Sequence, residues 1–406
     1  MKKINTGSAS SSLPVFSEGL ASLRGLAAAI VVVFHALLVF QVDGHNDPHK
    51  LLLNIDDGWL TAQHMLIAIF NGHAAVVLFF VLSGTVLTLS LARVKHLKGQ
   101  EIIAFYIRRA LRLIPLLIAV TLASAWAHHF YFEDVEFASA TNWMNRYYKS
   151  DPGLTEILHN AAGWSSSLNS PAWTIRIEIA ASVAFPVLYW VSNGTWPVVI
   201  TVGLVLLTMM FAPGLSIGHL ETFLFAFYLG ALIPRWSGAP AQAFLHLGTP
   251  ARLAIICMVL IVMAGTERLY TPTTFSDPRS VLIVTLCAAV LVSVIYYNPR
   301  GGLLRRPSLV FLGEISYGLY LIHMLVLFML AHAIAPSAAS LDPSEAVALN
   351  IGLAIATLAL TVPLATVAYY GFEKPCQRLG HGFGAIVGER IGAFITLRPK
   401  AKRVHP

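Results

Sequence analysis

An all-α, polytopic integral membrane protein is the fold class this sequence predicts, with about ten transmembrane helices and both termini cytoplasmic. Three observations predict it. The 406 residues are 56% hydrophobic and only 12% charged, about half the charged share of a soluble domain, with a mean hydropathy of +0.70. Apolar runs of spanning length recur at 20–41, 73–92, 111–130, 172–192, 196–212, 217–234, 252–266, 279–297, 309–334 and 346–370. Twenty of the 27 Lys and Arg residues fall on segments that this count places inside, five on outer segments and two within spans. That is a positive-inside distribution. The net charge of +7 therefore orients the chain among its membrane lipids and calls for no nucleic-acid partner.

The start, "MKKINTGSASSSLPVFSEG", has two lysines, but a Ser-rich stretch stands where a signal peptide needs its apolar core. Residues 1–19 are read as a disordered cytoplasmic tail before an uncleaved first span. Residues 20–375 form the membrane domain, and 376–406 a basic cytoplasmic tail. The three cysteines make no disulfide framework and are read as small apolar fillers.

The first span, "LRGLAAAIVVVFHALLVF", carries Arg24 and His35. Eleven helical steps return to within about 20° of the starting direction, so both lie on one face about 16 Å apart. Charges at this depth are costly and point to function. The alternative is Arg24 snorkelling to headgroups with His35 bonding a neighbouring helix. A buried imidazole held neutral can act as a base. In the second span, "FFVLSG" supplies a small Ser83–Gly84 step suited to close helix packing.

The third span opens with "FYIRRALRLIP", where Arg108, Arg109 and Arg112 join Lys95 and Lys98 in a dense basic cluster. Arg109 and Arg112 share a helix face, and arginine forks suit phosphate ligands; a topology signal or anionic lipid would explain them equally. Two long outer connections, 42–72 and 131–171, are rich in Asp, Glu, His, Trp and Asn. They are read either as part of an acceptor surface or as a solvated cap.

The fourth span, "SPAWTIRIEIAASVAFPVL", puts Arg176 and Glu178 beneath Trp173. Glu178 in an apolar run needs a cation, a hydrogen bond or a proton; it could orient His35, bind an acceptor hydroxyl or form a structural ion pair. The ninth, "ISYGLYLIHMLVL", holds Tyr317, Tyr320 and a second intramembrane imidazole, His323. Loop residues Asp43, His45, Asp47 and His49 have carboxylate and imidazole groups, but Pro48 breaks the helix on which their spacing would matter. No metal site is read there.

In order and spacing, over about residues 20–375, these pieces resemble the membrane-bound acyltransferase-3 family, whose ten-span members acylate cell-envelope glycans and other small acceptors. "LRGLAAAIVVVFHA" looks like its R-x10-H motif and "RRALR" contains its RxxR. "SPAWTIRIE" stands at its W-S-L-x-x-E segment, and "FEKP" follows the last span. The resemblance implies His35 and Arg24 as the essential pair and Glu178 as the acidic residue of the fourth-span motif. Many members have a second carboxylate next to it, where this chain has Ile179. Arg109 and Arg112, with Arg108 beside them, would bind an acyl-CoA donor, acetyl-CoA by default; no bound cofactor is expected. His323, Tyr317 and Trp173 would line the pocket. The soluble esterase-like domain fused to some members is not expected here.

The implied reaction is O-acyl transfer from cytoplasmic acyl-CoA to a hydroxyl of an envelope polysaccharide, lipopolysaccharide or lipid-linked sugar, in a bacterial inner membrane. His35 would deprotonate the hydroxyl or carry the acyl group transiently, and Arg24 would steady the donor or developing charge. The rival is a transporter or channel whose Arg, His and Glu line a path. The acyl group, the acceptor and the oligomeric state are not legible in the sequence.

Overall fold

A computed structural model of the chain describes residues 18–45, 58–94, 99–132, 135–147, 151–194, 200–201, 203, 220–270, 278–298, 302–338 and 341–396. Both chain ends, Lys95, Lys98, Asp47, His49 and most of the expected fifth span lie outside them. The described residues are helical, with two isolated β-bridges and no strand. Eight helical stretches among them are long and apolar enough to cross a membrane. A ninth, shorter apolar helix, Phe223–Trp236, falls at the expected sixth span. The protein is an all-α polytopic membrane protein.

The first helix, α1 (Glu18–Ala36), packs against α3 (Gly72–Ala92), α12 (Pro307–Glu314), α13 (Ser316–Ile334) and α14 (Pro343–Ala368). It occupies the centre of the bundle, which is why its small residues Ala27, Ala28 and Ala36 are buried. The sequence reading carries this span to residue 41; the structure ends the helix at Ala36, directly after His35. Residues 37–42 run on almost wholly buried. Such backbone must find partners inside the protein. Gln41 N–H donates to the Ser139 carbonyl (2.9 Å) and Thr141 N–H to that of Val39 (2.9 Å). Asn350 of α14, fully buried, accepts from Phe40 N–H and donates to Phe40 C=O, both at 3.1 Å. Asn350→Asp keeps the acceptor and loses the donor. We expect about 3 kcal/mol of destabilisation, since an orphaned buried backbone group costs roughly 1–3 kcal/mol and a buried charge more. A lower melting temperature in detergent checks it.

The segment 58–69 of the first outer connection forms α2 (Gly58–Ile69), and Gln63 from it donates to the Leu37 carbonyl. The third span proves longer than its apolar run: α4 (Gly99–Phe130) has 32 residues, about 48 Å at 1.5 Å per residue. Its basic turn therefore lies inside the helix rather than at its mouth. The described part of the second outer connection is folded. It forms α5 (Asn142–Asn145), α6 (Leu154–Ala161) and a 3₁₀ turn, 170–172, and leads into α7 (Trp173–Ser192). Asn169 donates to the Leu321 carbonyl (2.9 Å) and the Pro171 carbonyl accepts from Tyr320 Oη (3.3 Å). These contacts anchor the start of α7 on the second turn of α13.

The remaining helices are α8 (Leu220–Trp236), α9 (Gly238–His246), α10 (Thr249–Tyr270), α11 (Pro278–Tyr297) and α15 (Lys374–Thr396). Gly84 of α3 faces the Phe227 carbonyl of α8, and Gly230 faces that of Val81, leaving no room for a methyl group at either. This is the close packing expected at the Ser83–Gly84 step. On α10, Leu253, Met258 and Ile261 are exposed, an apolar face suited to lipid. α15 continues α14 through a π-helical turn, Tyr369–Glu373, and packs along α4. Gly380 lies against the backbone of Arg108 and Gly384 against Ala104. The packed unit thus extends beyond residue 375, where the sequence reading starts a tail.

Candidate active site

Arginine pairs of helix-face spacing meet polar residues of the same spacing at the inner side of the bundle, as the charge pattern assigns it. Arg109 and Arg112 share one face of α4, and Glu178 and Ser182 one face of α7. Arg109 Nη2 donates to Glu178 Oε2 and Nε to Ser182 Oγ, each at 3.0 Å, and Ser182 Oγ donates to the Glu178 carbonyl (2.6 Å). Arg24 Nη2 donates to the Gly313 carbonyl of α12 (2.6 Å). Its Nε is buried with no partner among the described residues.

Arg24, Arg109, Arg112 and Glu178 line a cavity of about 540 Å³, with Ser83, Tyr317 and Tyr320. Tyr317 Oη donates to the Leu113 carbonyl (2.6 Å). A second cavity of about 370 Å³ shares Arg24, Ser83, Arg109 and Arg112 and reaches Leu20 and Leu87. Glu373, 3% exposed, lies within electrostatic reach of Arg24 and Arg112. Three guanidiniums against two carboxylates leave the cluster net positive. The arrangement suits an anionic ligand.

His35 belongs to a different neighbourhood one turn of α13 away. His323 Nδ1 lies 2.7 Å from the Tyr320 carbonyl, and its Nε2 lies 3.0 Å from His35 Nδ1. A carbonyl only accepts, so His323 Nδ1 carries the proton and, with His323 neutral, its Nε2 is an acceptor. His35 Nδ1–H must then donate to it, which leaves Nε2 as the basic nitrogen of a neutral His35. His35 is also stacked on Trp143 of α5, with centroids 5.5 Å apart and planes 7° from parallel. Tyr320 joins the two neighbourhoods: its ring lines the cavity and its carbonyl sets the His323 tautomer.

The structure therefore brings Arg24, Arg109, Arg112, Glu178 and Tyr317 together, and separately His35 with His323. Three further placements concern Glu178, Arg108 and Trp173. Glu178 does not reach the His35 pair; it is tied to Arg109 in the arginine cavity, because α7 begins deep in the bundle. Arg108 lies off the cavity lining, with its backbone against Gly380 of α15. Trp173 is also outside that lining and packs on Phe223, 5.6 Å between centroids. Two neighbours of the site were not selected from sequence. Glu373 stood within the quoted "FEKP", but nothing there shows that it is buried. Trp143 stood in a loop without periodicity, so no pattern marked it.

Breaking the buried Arg109–Glu178 pair from one side strands a charge, which costs roughly 3–5 kcal/mol. Glu178→Ala is thus expected to lower the melting temperature more than the double variant with Arg109→Ala does. Thermal unfolding of the three proteins measures this.

A family model described as an acyltransferase domain, that of acyltransferase-3, matches residues 18–370. The chain belongs to the acyltransferase-3 family. It is an acyltransferase and an integral membrane protein. Two acyltransferase-3 relatives are similar at low identity. The acyltransferase MdmB of Streptomyces mycarofaciens is 26% identical over 336 residues, covering 76% of this chain and 81% of that one. Nodulation protein 10 of Rhizobium leguminosarum bv. viciae is 26% identical over 284 residues, covering 63% and 72%. No solved structure matches the chain.

Proposed function

We propose that this acyltransferase moves an acyl group, acetyl by default, from acyl-CoA to a hydroxyl of an envelope polysaccharide, lipopolysaccharide or lipid-linked sugar in a bacterial inner membrane. One observation carries the reading. A net-positive arginine cavity with an unsatisfied buried Arg24 Nε is joined through Tyr320 to a histidine whose Nε2 is poised to accept a proton. The phosphates of acyl-CoA suit the arginines, and the neutral pantetheine arm suits the Phe79 and Phe80 walls of the cavity. Along α1 the arm must cover about 16 Å from Arg24 to His35.

In the reaction, His35 Nε2 takes the proton of the acceptor hydroxyl as its oxygen attacks the thioester carbonyl. The C–S bond then breaks, and the departing sulfur receives that proton from the imidazolium. The products are an ester and free CoA. Arg24, about 16 Å along α1 from His35, steadies the donor through its phosphates.

Membrane vesicles with and without the protein, given acetyl-labelled acetyl-CoA, test this. Label in a glycan or lipid-linked sugar fraction, only when the protein is present, supports the reading. Solute movement that depends on the protein without consumption of acetyl-CoA or succinyl-CoA overturns it in favour of a transporter.

A further inference from the structure

The outer connection 131–171 is one of the least regular parts of the chain, yet it delivers an aromatic ring to His35. Thr141 is the pivot. Its Oγ1 donates to the Leu38 carbonyl (2.6 Å) and caps α5 by accepting from Met144 N–H (3.3 Å). Asn145 accepts from Phe137 N–H (3.1 Å) and donates to its carbonyl (3.0 Å), closing the segment on itself. Bonded to the turn that follows α1, α5 has one place to put Trp143.

That place is a stack of rings. Trp143 lies along His35 with centroids 5.5 Å apart and planes 7° from parallel, while His323 meets the edge of the same imidazole through the Nδ1···Nε2 hydrogen bond, its plane at 21°. Phe328 of α13 backs the indole at 5.6 Å and 28°, and Tyr147 meets its edge at 5.9 Å. Geometry this close to parallel holds the imidazole plane and therefore the direction of Nε2. An indole face is also the best aromatic surface for a cation, and His35 becomes one when it accepts a proton.

Building on the acyl-transfer reading, we infer that Trp143 is a positioning residue of the reaction: its indole face fixes the His35 ring and stabilises the imidazolium. It acts through His35 and touches neither substrate. The outer connection is thus a working part of the site, supplied from a segment that also shuts the end of α1.

The test compares wild type with Trp143→Tyr, Trp143→Phe and Trp143→Leu in membranes at matched levels. The expected kcat falls about 10-fold in Trp143→Leu and about 3-fold or less in the two aromatic variants, following the strength of the ring–cation contact. KM for acetyl-CoA stays within about 2-fold, because the arginine cavity is untouched. A second readout needs no turnover: the rate of carbethoxylation of His35, followed by mass spectrometry, rises in Trp143→Leu and stays near wild type in Trp143→Phe. Unchanged kcat and unchanged carbethoxylation in Trp143→Leu overturn the inference. Equal loss in Trp143→Phe and Trp143→Leu also overturns it, since any ring would then fail to serve. Wild type that transfers no acyl group defeats the underlying reading, and the carbethoxylation series still decides whether Trp143 holds His35.

Discussion

His35→Ala is expected to lower kcat for acyl transfer about 100- to 10,000-fold, the span that one positioned general base supplies, with KM for the donor nearly unchanged. The hydrogen bonds show why this residue and not its neighbour carries the loss. His323 is fully buried and both of its ring nitrogens are used, one by the Tyr320 carbonyl and one by His35. Nothing in that arrangement leaves it a lone pair for a substrate. In neutral His35 the same chain of donors places the lone pair on Nε2. His323→Phe keeps a ring at that position and removes the acceptor for His35 Nδ1–H. It should cost less, on the order of 10-fold, since the tautomer is then held by nothing on that side. Initial rates at saturating acetyl-CoA, with protein levels matched in membranes, read both variants. Wild-type turnover in His35→Ala would remove the histidine from the mechanism.

Gly313→Ala is expected to abolish folded protein, with aggregated material replacing a single symmetric peak in gel filtration. Within an isolated helix the change favours folding, by roughly 0.5–1 kcal/mol. Here the sign reverses, because the added methyl would overlap the Ala21 carbonyl on α1. Gly25 meets the same crossing from the other side: its methyl would lie 2.6 Å from Gly313 N. Backbone has no rotamer with which to yield, so the helices must separate. Overpacking costs about 1–3 kcal/mol even where side chains can adjust. Separation would also move the Gly313 carbonyl away from Arg24 Nη2 and displace the guanidinium from its cavity. Gly352→Ala is the control: α14 has open space at that position, and this variant should be neutral or slightly stabilising.

Arg24 and His35 stood out in the sequence because a cation and an imidazole in an apolar run are energetically conspicuous. Arg109 and Arg112 stood out by their helical spacing. By contrast, Gly313 has no neighbour in the chain that marks it as a crossing point. The Glu178–Arg109 pair was equally hidden, since 69 residues separate its members and the sequence reading places them on opposite sides of the membrane.

What the sequence determined by itself was whatever depends on local composition and period. That includes an all-α membrane protein with several long apolar helices, the family, and the residues whose charge makes no sense in lipid. Only the tertiary structure decided which of those residues meet. It assigned Glu178 to Arg109 rather than to His35, ended α1 at Ala36, and placed Trp143 of the second outer connection against His35. The reason is physical. Hydropathy and helical period report how a segment relates to solvent or lipid. A hydrogen bond or a ring stack between distant segments depends on where helices cross and where they break, and those are set by packing among all of them at once.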